Sequence, residues 1–307
     1  MLREDGELPA LQLALVTDGS DRSLAESVRA SGADVVGLLA PDPLESIVWA
    51  AEARADHGYS ALDALAADAV DAACLDLPLP EACRVAAVLL SEGVNVVFAR
   101  PQTPDRVSVR GLLEAAAEGN TTAVAGLRTR AWPSISSAAA LLPRLGTLSQ
   151  LTVNGWPAGR EARAELVDLV RRLCGDVVAG CASASEMPAH ELSADAPVTL
   201  SLLTAAGATV MASESPRSAY DTAQLTFVGS AGRVVAGLRE LRLSDVSGVR
   251  EVPVAGPSHP VRLAAEGLRD ELSGLPSAAA GLGDLLAASR VMELAARSYE
   301  SDAWVEA

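Results

Sequence analysis

Apolar and polar positions divide the chain into two parts with different periodicities. In the first part, short runs that are apolar along their whole length alternate with stretches of helical spacing. Such runs are typical of parallel strands that are covered on both faces. The predicted strands are residues 11–17, 34–40, 70–77, 94–99 and 122–127, and the predicted helices are 23–31, 44–56, 60–68, 81–92, 107–118 and 134–145.

After residue 148 the runs become shorter and are separated by turn residues. The predicted strands are 148–154, 177–185, 198–203, 209–214, 224–228, 233–236 and 240–243, with helices at 161–174, 264–272 and 281–299. Glycine-containing turns, such as the one at residues 229–232, indicate antiparallel hairpins. The pattern predicts an α/β fold in two domains. A Rossmann-like domain with a parallel sheet spans residues 1–127, and an α+β domain with a mostly antiparallel open sheet spans residues 128–307.

Composition narrows the chemistry that the chain can perform. Hydrophobic residues make up 50% of the chain and aromatic residues only 3%, so the core must consist mainly of small aliphatic side chains. The sequence contains no lysine, which excludes Schiff-base catalysis and a lysine general acid. The net charge of −16 argues against a basic nucleic-acid-binding face.

The chain shows no targeting, membrane or metal-binding pattern. Its first residues are acidic without an apolar run, and no stretch approaches the roughly 18 apolar residues of a membrane span, so we expect a cytoplasmic protein that does not bind membranes. The cysteines form no C-x-x-C pair and the three histidines are far apart in sequence, so we expect free thiols and no metal site. The cysteines are Cys74, Cys83, Cys174 and Cys181.

Several short motifs follow one another in a familiar order. Residues 69–78 contain Val-Asp-Ala-Ala and end in Leu-Pro, and residues 91–97 read Ser-Glu-Gly-Val-Asn-Val-Val. Residues 99–101 read Ala-Arg-Pro, residues 145–146 read Leu-Gly, and residues 226–232 form a Gly-Ser-Ala-Gly hairpin. Together these motifs resemble the glucose–fructose oxidoreductase/inositol dehydrogenase family (Gfo/Idh/MocA) over nearly the whole chain. The resemblance implies an NAD(P) cofactor and hydride transfer at a sugar or cyclitol carbon.

The resemblance places the cofactor-binding turn at residues 17–22. The family's G-x-G-x-x-G glycines let backbone N–H groups approach the pyrophosphate. Here the three positions hold Thr17, Gly19 and Arg22, so only the middle glycine is present. The resemblance implies that these three residues and Ser20 contact the cofactor. The alternative is an ordinary strand–turn–helix connection.

Three further positions are implied in cofactor binding. The family's ribose-binding acid falls on Ala40, and Asp42 lies two residues later, where it would either reach a ribose hydroxyl or cap a helix. Pro78, which follows the third long strand, is a further residue that the resemblance implies in cofactor binding. Arg100 takes the place of the family's catalytic lysine. Arginine keeps the charge but cannot transfer a proton at neutral pH, so Arg100 is expected either to bind an anionic small molecule or to pair with a nearby acid.

The family's catalytic helix corresponds to residues 161–168. Its aspartate and histidine positions hold Glu161 and Glu165, and its last aspartate matches Asp168. Spacings of four and three place these carboxyl groups on one helical stripe. Glu165 and Asp168 are thus candidate catalytic residues, together with Arg100 at the position of the family's lysine. Alternatively the acids pair on the surface with arginines of the same helix.

Three functions remain open at this stage. The first is an oxidoreductase-like protein that lacks the standard NAD(P)-dependent activity and acts as an accessory subunit or small-molecule binder. The second is an NAD(P)-dependent oxidoreductase with an atypical arginine/glutamate site, acting on a sugar or cyclitol. The third is a non-redox lyase that uses Glu165 as its base. An open sheet needs cover on one face, so homo- or hetero-oligomers through the C-terminal sheet are expected.

Overall fold

The computed structural model describes residues 10–21, 23–100, 104–183, 198–256, 258–301 and 303–307. The chain forms two compact units. Unit 1 contains the first part of the chain up to Arg128, together with His259–Leu286. Unit 2 contains Thr129–Ser258 and Ala287–Ala307. Residues 259–286, which the sequence pattern assigns to the second domain, therefore pack in unit 1.

Unit 1 is built on a sheet whose longer strands are mostly apolar. Its strands are β1 Gln12–Thr17, β2 Asp34–Leu39, β3 His57–Gly58, β4 Ala72–Asp76, β5 Asn95–Phe98, β6 Ala123–Ala125 and β15 Ala280–Gly281. In the described residues their order is β15-β6-β5-β4-β1-β2-β3, and all neighbours are parallel except β15 and β6. All five residues of β4 are buried, as expected for a strand covered on both faces.

Helices cover both faces of this sheet. They are α1 Leu24–Arg29, α2 Pro43–Glu52, α3 Leu62–Ala66, α4 Leu79–Ser91, α5 Arg106–Gly119 and α8 Pro260–Leu272. Two apolar clusters fill the layers: one contains Leu75, Leu89 and Phe98, and the other contains Leu15 and Leu24. α8 contacts α1, β5 and β6, which explains why it belongs to unit 1.

Unit 2 contains a larger and mostly antiparallel sheet. Its strands are β7 Leu148–Pro157, β8 Val177–Ser183, β9 Thr199–Thr204, β10 Thr209–Ser215, β11 Gln224–Gly229, β12 Gly232–Ala236, β13 Leu241–Asp245, β14 Gly248–Glu251 and β16 Val305–Glu306. In the described part of unit 2 their order is β14-β13-β12-β11-β7-β10-β9-β8-β16. The pairing of β7 with β10 is parallel and the other pairings are antiparallel.

One face of the second sheet packs against helices. These helices are α6 Pro133–Leu141, α7 Arg160–Cys174 and the part of α9 (Leu282–Ser301) that follows Leu286; 3₁₀ turns occupy Thr129–Ala131, Leu142–Leu145 and Tyr220–Thr222. Their core includes the mutually contacting rings of Trp132, Trp156 and Tyr220. Along β10, Val210 and Ala212 point into this core while Met211 is exposed.

The predicted fold class is confirmed, with a parallel sheet first and a mostly antiparallel sheet second. Differences are confined to short or terminal pieces. α8 begins at Pro260 rather than at residue 264, because proline fits the first turn of a helix and His259 caps it. The predicted strand end at residues 184–185 lies outside the described residues. No described helix is long and apolar enough to cross a membrane.

Candidate functional site

The turn that follows β1 satisfies its own backbone donors. The N–H of Gly19 donates to Thr17 Oγ1 at 2.9 Å, and the N–H of Ser20 donates to Asp18 Oδ1 at 3.0 Å. The N–H of Ser23 donates to Asp21 Oδ1 at 2.9 Å. In a dinucleotide-binding turn, donors of this kind face the pyrophosphate. In this protein, side-chain oxygens accept them instead.

Arg100 connects the end of β5 to this turn. Its Nε donates to Asp76 Oδ1 at 2.7 Å, and its Nη2 donates to Asp18 Oδ1 at 2.6 Å and to Ser20 Oγ at 2.7 Å. Burial lowers the pKa of Arg100, but the hydrogen bonds to Asp76 and Asp18 raise it more, so the net shift is upward. Of the two roles expected for Arg100, the structure shows the pairing with nearby acids.

Asp76 lies at the centre of this network. It is the last residue of β4 and its side chain is only 4% exposed. Besides Arg100, its carboxylate accepts hydrogen bonds from Thr17 Oγ1 at 3.0 Å and from Ser20 Oγ at 3.2 Å. Asp76 was not among the residues predicted from the sequence. The available signal was an acid at the end of an apolar run of the sequence. β1 and β5 lie on either side of β4, so Thr17 and Arg100 lie at the same edge of the sheet as Asp76.

Gly19 and Trp49 fix the other side of the turn. Gly19 has a φ of +81°, a conformation that favours glycine. A Cβ at this position would overlap the indole ring of Trp49, which projects from α2. The indole therefore occupies the space directly beside the turn, and the glycine is required for this contact.

Two of the remaining predicted cofactor residues, Asp42 and Pro78, lie at the N-termini of helices. Asp42 is the N-cap of α2, where its Oδ1 accepts hydrogen bonds from the N–H groups of Leu44 at 2.7 Å and Glu45 at 3.4 Å. Pro78 is the N-cap residue of α4 and is exposed. Arg22 lies outside the described residues.

The described residues do not fit the phosphates of a dinucleotide. The donors of the turn are engaged by side chains, and the described acids Asp18, Asp21 and Asp76 outnumber the guanidinium of Arg100. An incoming phosphate would meet negative charge where the family's turn offers donors. α1 is also only six residues long, so it adds little favourable dipole for an anion.

The pairing of Asp18 with Arg100 predicts an acid-sensitive contribution to stability. Partial burial raises the pKa of Asp18, but hydrogen bonds from Arg100 and Ser20 lower it more, so its pKa lies below the ordinary 3.8. Because the folded-state pKa is the lower one, the stabilisation is fully present above pH 3.8 and is lost as the pH falls through the folded-state pKa. We expect Asp18→Asn to cost about 1 kcal/mol or less at pH 7 and progressively less as the pH falls below 3.8.

Urea unfolding of the wild type and of Asp18→Asn between pH 7 and pH 2 measures this effect. Asp34→Asn, which removes an exposed carboxylate of β2, serves as the control for the loss of one negative charge. A difference between wild type and Asp18→Asn that stays constant down to pH 2 would contradict the assignment.

The candidate acids of α7 are buried inside unit 2. Glu165 has no exposed surface, and its Oε2 accepts a hydrogen bond from the N–H of Thr129 at 3.0 Å. Asp168 forms a two-pronged pair with Arg130, with Nε to Oδ2 at 2.8 Å and Nη2 to Oδ1 at 2.6 Å. The alternative of surface pairing is therefore wrong for Glu165 and Asp168.

A second buried ion pair lies beside them. Arg163 of α7 donates from Nε and Nη2 to the two carboxylate oxygens of Glu214, each at 2.7 Å. Both side chains are at most 8% exposed. The charged side chains of α7 thus bond to the 3₁₀ turn Thr129–Ala131 and to β10, and these bonds hold the helix in place.

The titratable groups of the described residues do not assemble a metal site. Within those residues, no group of three or more His, Cys, Asp or Glu side chains is placed to hold an ion. All four cysteines are free. Burial raises the pKa of Cys174 to about 12, and burial together with Asp105 raises that of Cys83 to about 11, so these thiols are weak nucleophiles at neutral pH.

The chain is similar to known proteins in structure, but the sequence comparisons found no match. No family model matches the chain, and no curated protein sequence matches it. Among solved structures, an NAD-binding oxidoreductase from Klebsiella pneumoniae is similar with a TM-score of 0.84 and 15% identity, over 97% of this chain and 98% of the other. A putative myo-inositol dehydrogenase from Sinorhizobium meliloti has a TM-score of 0.75 and 20% identity, over 97% and 99%.

A third solved structure is an oxidoreductase from Agrobacterium radiobacter in complex with NAD+, L-tartaric acid and magnesium. Its TM-score is 0.79 at 15% identity, over 97% of this chain and 98% of the other. At such identities the likeness establishes the fold alone. The chain has the two-domain fold of the Gfo/Idh/MocA-type oxidoreductases, and the resemblance read from its motifs is confirmed at that level.

Proposed function

We propose that this chain is an oxidoreductase-like protein without the standard NAD(P)-dependent dehydrogenase activity, which acts as an accessory subunit or a small-molecule binder. The observation that carries the proposal is the network around Arg100. It joins Asp18, Ser20 and Asp76 across the turn that the family resemblance assigns to the cofactor. The side chains of this turn take over the hydrogen bonds that a pyrophosphate would otherwise accept.

The acids of unit 2 support the same proposal. A general base must reach the proton that it removes and must be tuned to the working pH. Glu165 is fully buried under the N–H of Thr129, and Asp168 is held by Arg130. Both carboxylates serve the packing of α7, so neither the dehydrogenase nor the lyase alternative gains support from them.

A thermal-shift screen with NAD+, NADH, NADP+ and NADPH tests the proposal. A ligand present at 100 times its dissociation constant stabilises the folded state by about 2.7 kcal/mol. We expect no shift with any of the four nucleotides at about 1 mM. A clear shift, followed by nucleotide reduction with myo-inositol or glucose, would instead favour the NAD(P)-dependent alternative.

We further propose that the protein assembles through the exposed face of the unit 2 sheet. Met211, 49% exposed on β10, lies between Ser201 of β9 and Thr152 of β7 in the strand register. Thr226 of β11 follows Thr152 across the sheet. These side chains are short and uncharged around one exposed methionine, which suits contact with a second sheet.

Light scattering at about 10 µM protein is expected to give at least twice the mass of the chain. Met211→Arg should shift the population toward monomer, because a charge would be buried in the contact. Val107→Arg, an exposed substitution on α5 of unit 1, is the matched control and should leave the mass unchanged. A monomeric wild type at this concentration would contradict the proposal.

A further inference from the structure

We propose that a cavity between α1 and α2 of unit 1 binds a small aromatic compound that carries an ammonium group. The cavity has a volume of about 420 Å³, within the usual range of small-molecule sites. Its lining comes from β1, β2, α1, α2 and the adjoining turns, all within unit 1. Thr17, Gly19 and Asp21 of the turn after β1 are among the lining residues, so the inference rests on the proposed function, in which this turn holds no nicotinamide cofactor.

The apolar side of the cavity suits a flat ring. Leu15 and Leu38 contribute from the sheet, and Leu24 contributes from α1. Trp49 completes this side from α2, and its indole is held against Gly19, which lacks the Cβ that would displace it. A tryptophan ring in this setting stacks on an aromatic ligand and also attracts a cation through its π face.

The charged side of the cavity favours a cationic ligand. Three carboxylates line it, from Asp21, Glu26 and Glu52, against the guanidinium groups of Arg29 and Arg54. Arg29 is already directed to the end of α2, where its Nη2 donates to the carbonyl oxygens of Ala53 and Arg54. The net charge of −16 on the chain adds to this preference.

Two compounds that share one ring separate the effect of charge from that of shape. Tryptamine carries an ammonium group on an indole, and indole-3-acetate carries a carboxylate on the same ring. Isothermal titration of the full chain is expected to show tryptamine binding about tenfold more tightly than indole-3-acetate. Equal affinities, or no tryptamine binding up to about 5 mM, would overturn the proposal.

Matched variants on α2 and at its end locate the site. Ala53→Phe fills the cavity and should abolish tryptamine binding, whereas Ala51→Phe, two residues earlier and exposed outside the lining, should retain it. Retention of full affinity by Ala53→Phe would also overturn the proposal.

A rim variant provides a test that does not depend on how Ala53→Phe folds. Glu26 is exposed on α1, so Glu26→Gln is compatible with the fold. It should weaken tryptamine by about threefold and leave indole-3-acetate unweakened. An equal loss for both compounds, or no loss for tryptamine, would count against a charge-selective site in this cavity.

Discussion

Replacement of Asp168 by alanine is expected to lower the free energy of unfolding by about 3–5 kcal/mol. The reason is the burial of its partner. Arg130 and Asp168 are 8% and 3% exposed, and two hydrogen bonds join them. Removal of the carboxylate leaves a guanidinium inside unit 2 without its counter-charge, which costs more than the pair contributes when intact.

Urea unfolding followed by circular dichroism and tryptophan fluorescence measures this loss. Glu240→Ala, which breaks an exposed pair with Arg242 in the same unit, is the control and should cost less than about 1 kcal/mol. The double variant Arg130→Met/Asp168→Leu removes both charges and should be more stable than Asp168→Ala. A loss below 1 kcal/mol for Asp168→Ala would show that the pair does not hold α7 in place.

Substitution of Arg100 by lysine is expected to leave dehydrogenase activity undetectable, although lysine is the residue that the family carries there. A lysine at this position would lie beside Asp76 and Asp18, and neighbouring carboxylates hold an ammonium group in its protonated form. The N–H groups of Gly19 and Ser20 would remain bonded to Thr17 and Asp18. The substitution therefore restores a residue type without restoring a cofactor site.

Steady-state assays with myo-inositol and glucose, with NAD+ and NADP+ in turn, measure the outcome. The variant Asp18→Ala/Arg100→Lys frees the Ser20 N–H and removes one negative charge, so any gain in nucleotide affinity should appear in it before it appears in Arg100→Lys. Measurable nucleotide reduction by Arg100→Lys alone would show that proton transfer was the missing function, and that the turn had been misjudged.

The sequence predicted the long elements because their periodicity is strong. The largely apolar run that became β4 and the short run between turn residues that became β10 both carry clear signals. The strands β3, β15 and β16 contain two residues each, too few to show any period, and they were missed, as was the four-residue strand β14. The return of α8 to unit 1 was missed for another reason, because its contacts with α1 and β6 join residues far apart in sequence.

The sequence indicated which residues belong to the candidate site but not which side chains are hydrogen-bonded to one another. Motif matching selected Thr17, Gly19 and Arg100, and the structure places them at or just after the ends of β1 and β5. It could not show that Arg100 pairs with Asp76, since that bond depends on which strands are neighbours and on side-chain direction. The pairing of Asp168 with Arg130 escaped prediction in the same way, because burial of the acids could not be told from helical spacing alone.

Titration of the wild-type chain with NADH, followed by nucleotide fluorescence, tests the central claim most directly. That claim is that the turn at residues 17–21 and Arg100 are bonded to one another in place of a cofactor. The account predicts no saturable binding below about 1 mM, which corresponds to a binding free energy no more favourable than about −4 kcal/mol. Saturable binding with a Kd in the micromolar range would contradict it.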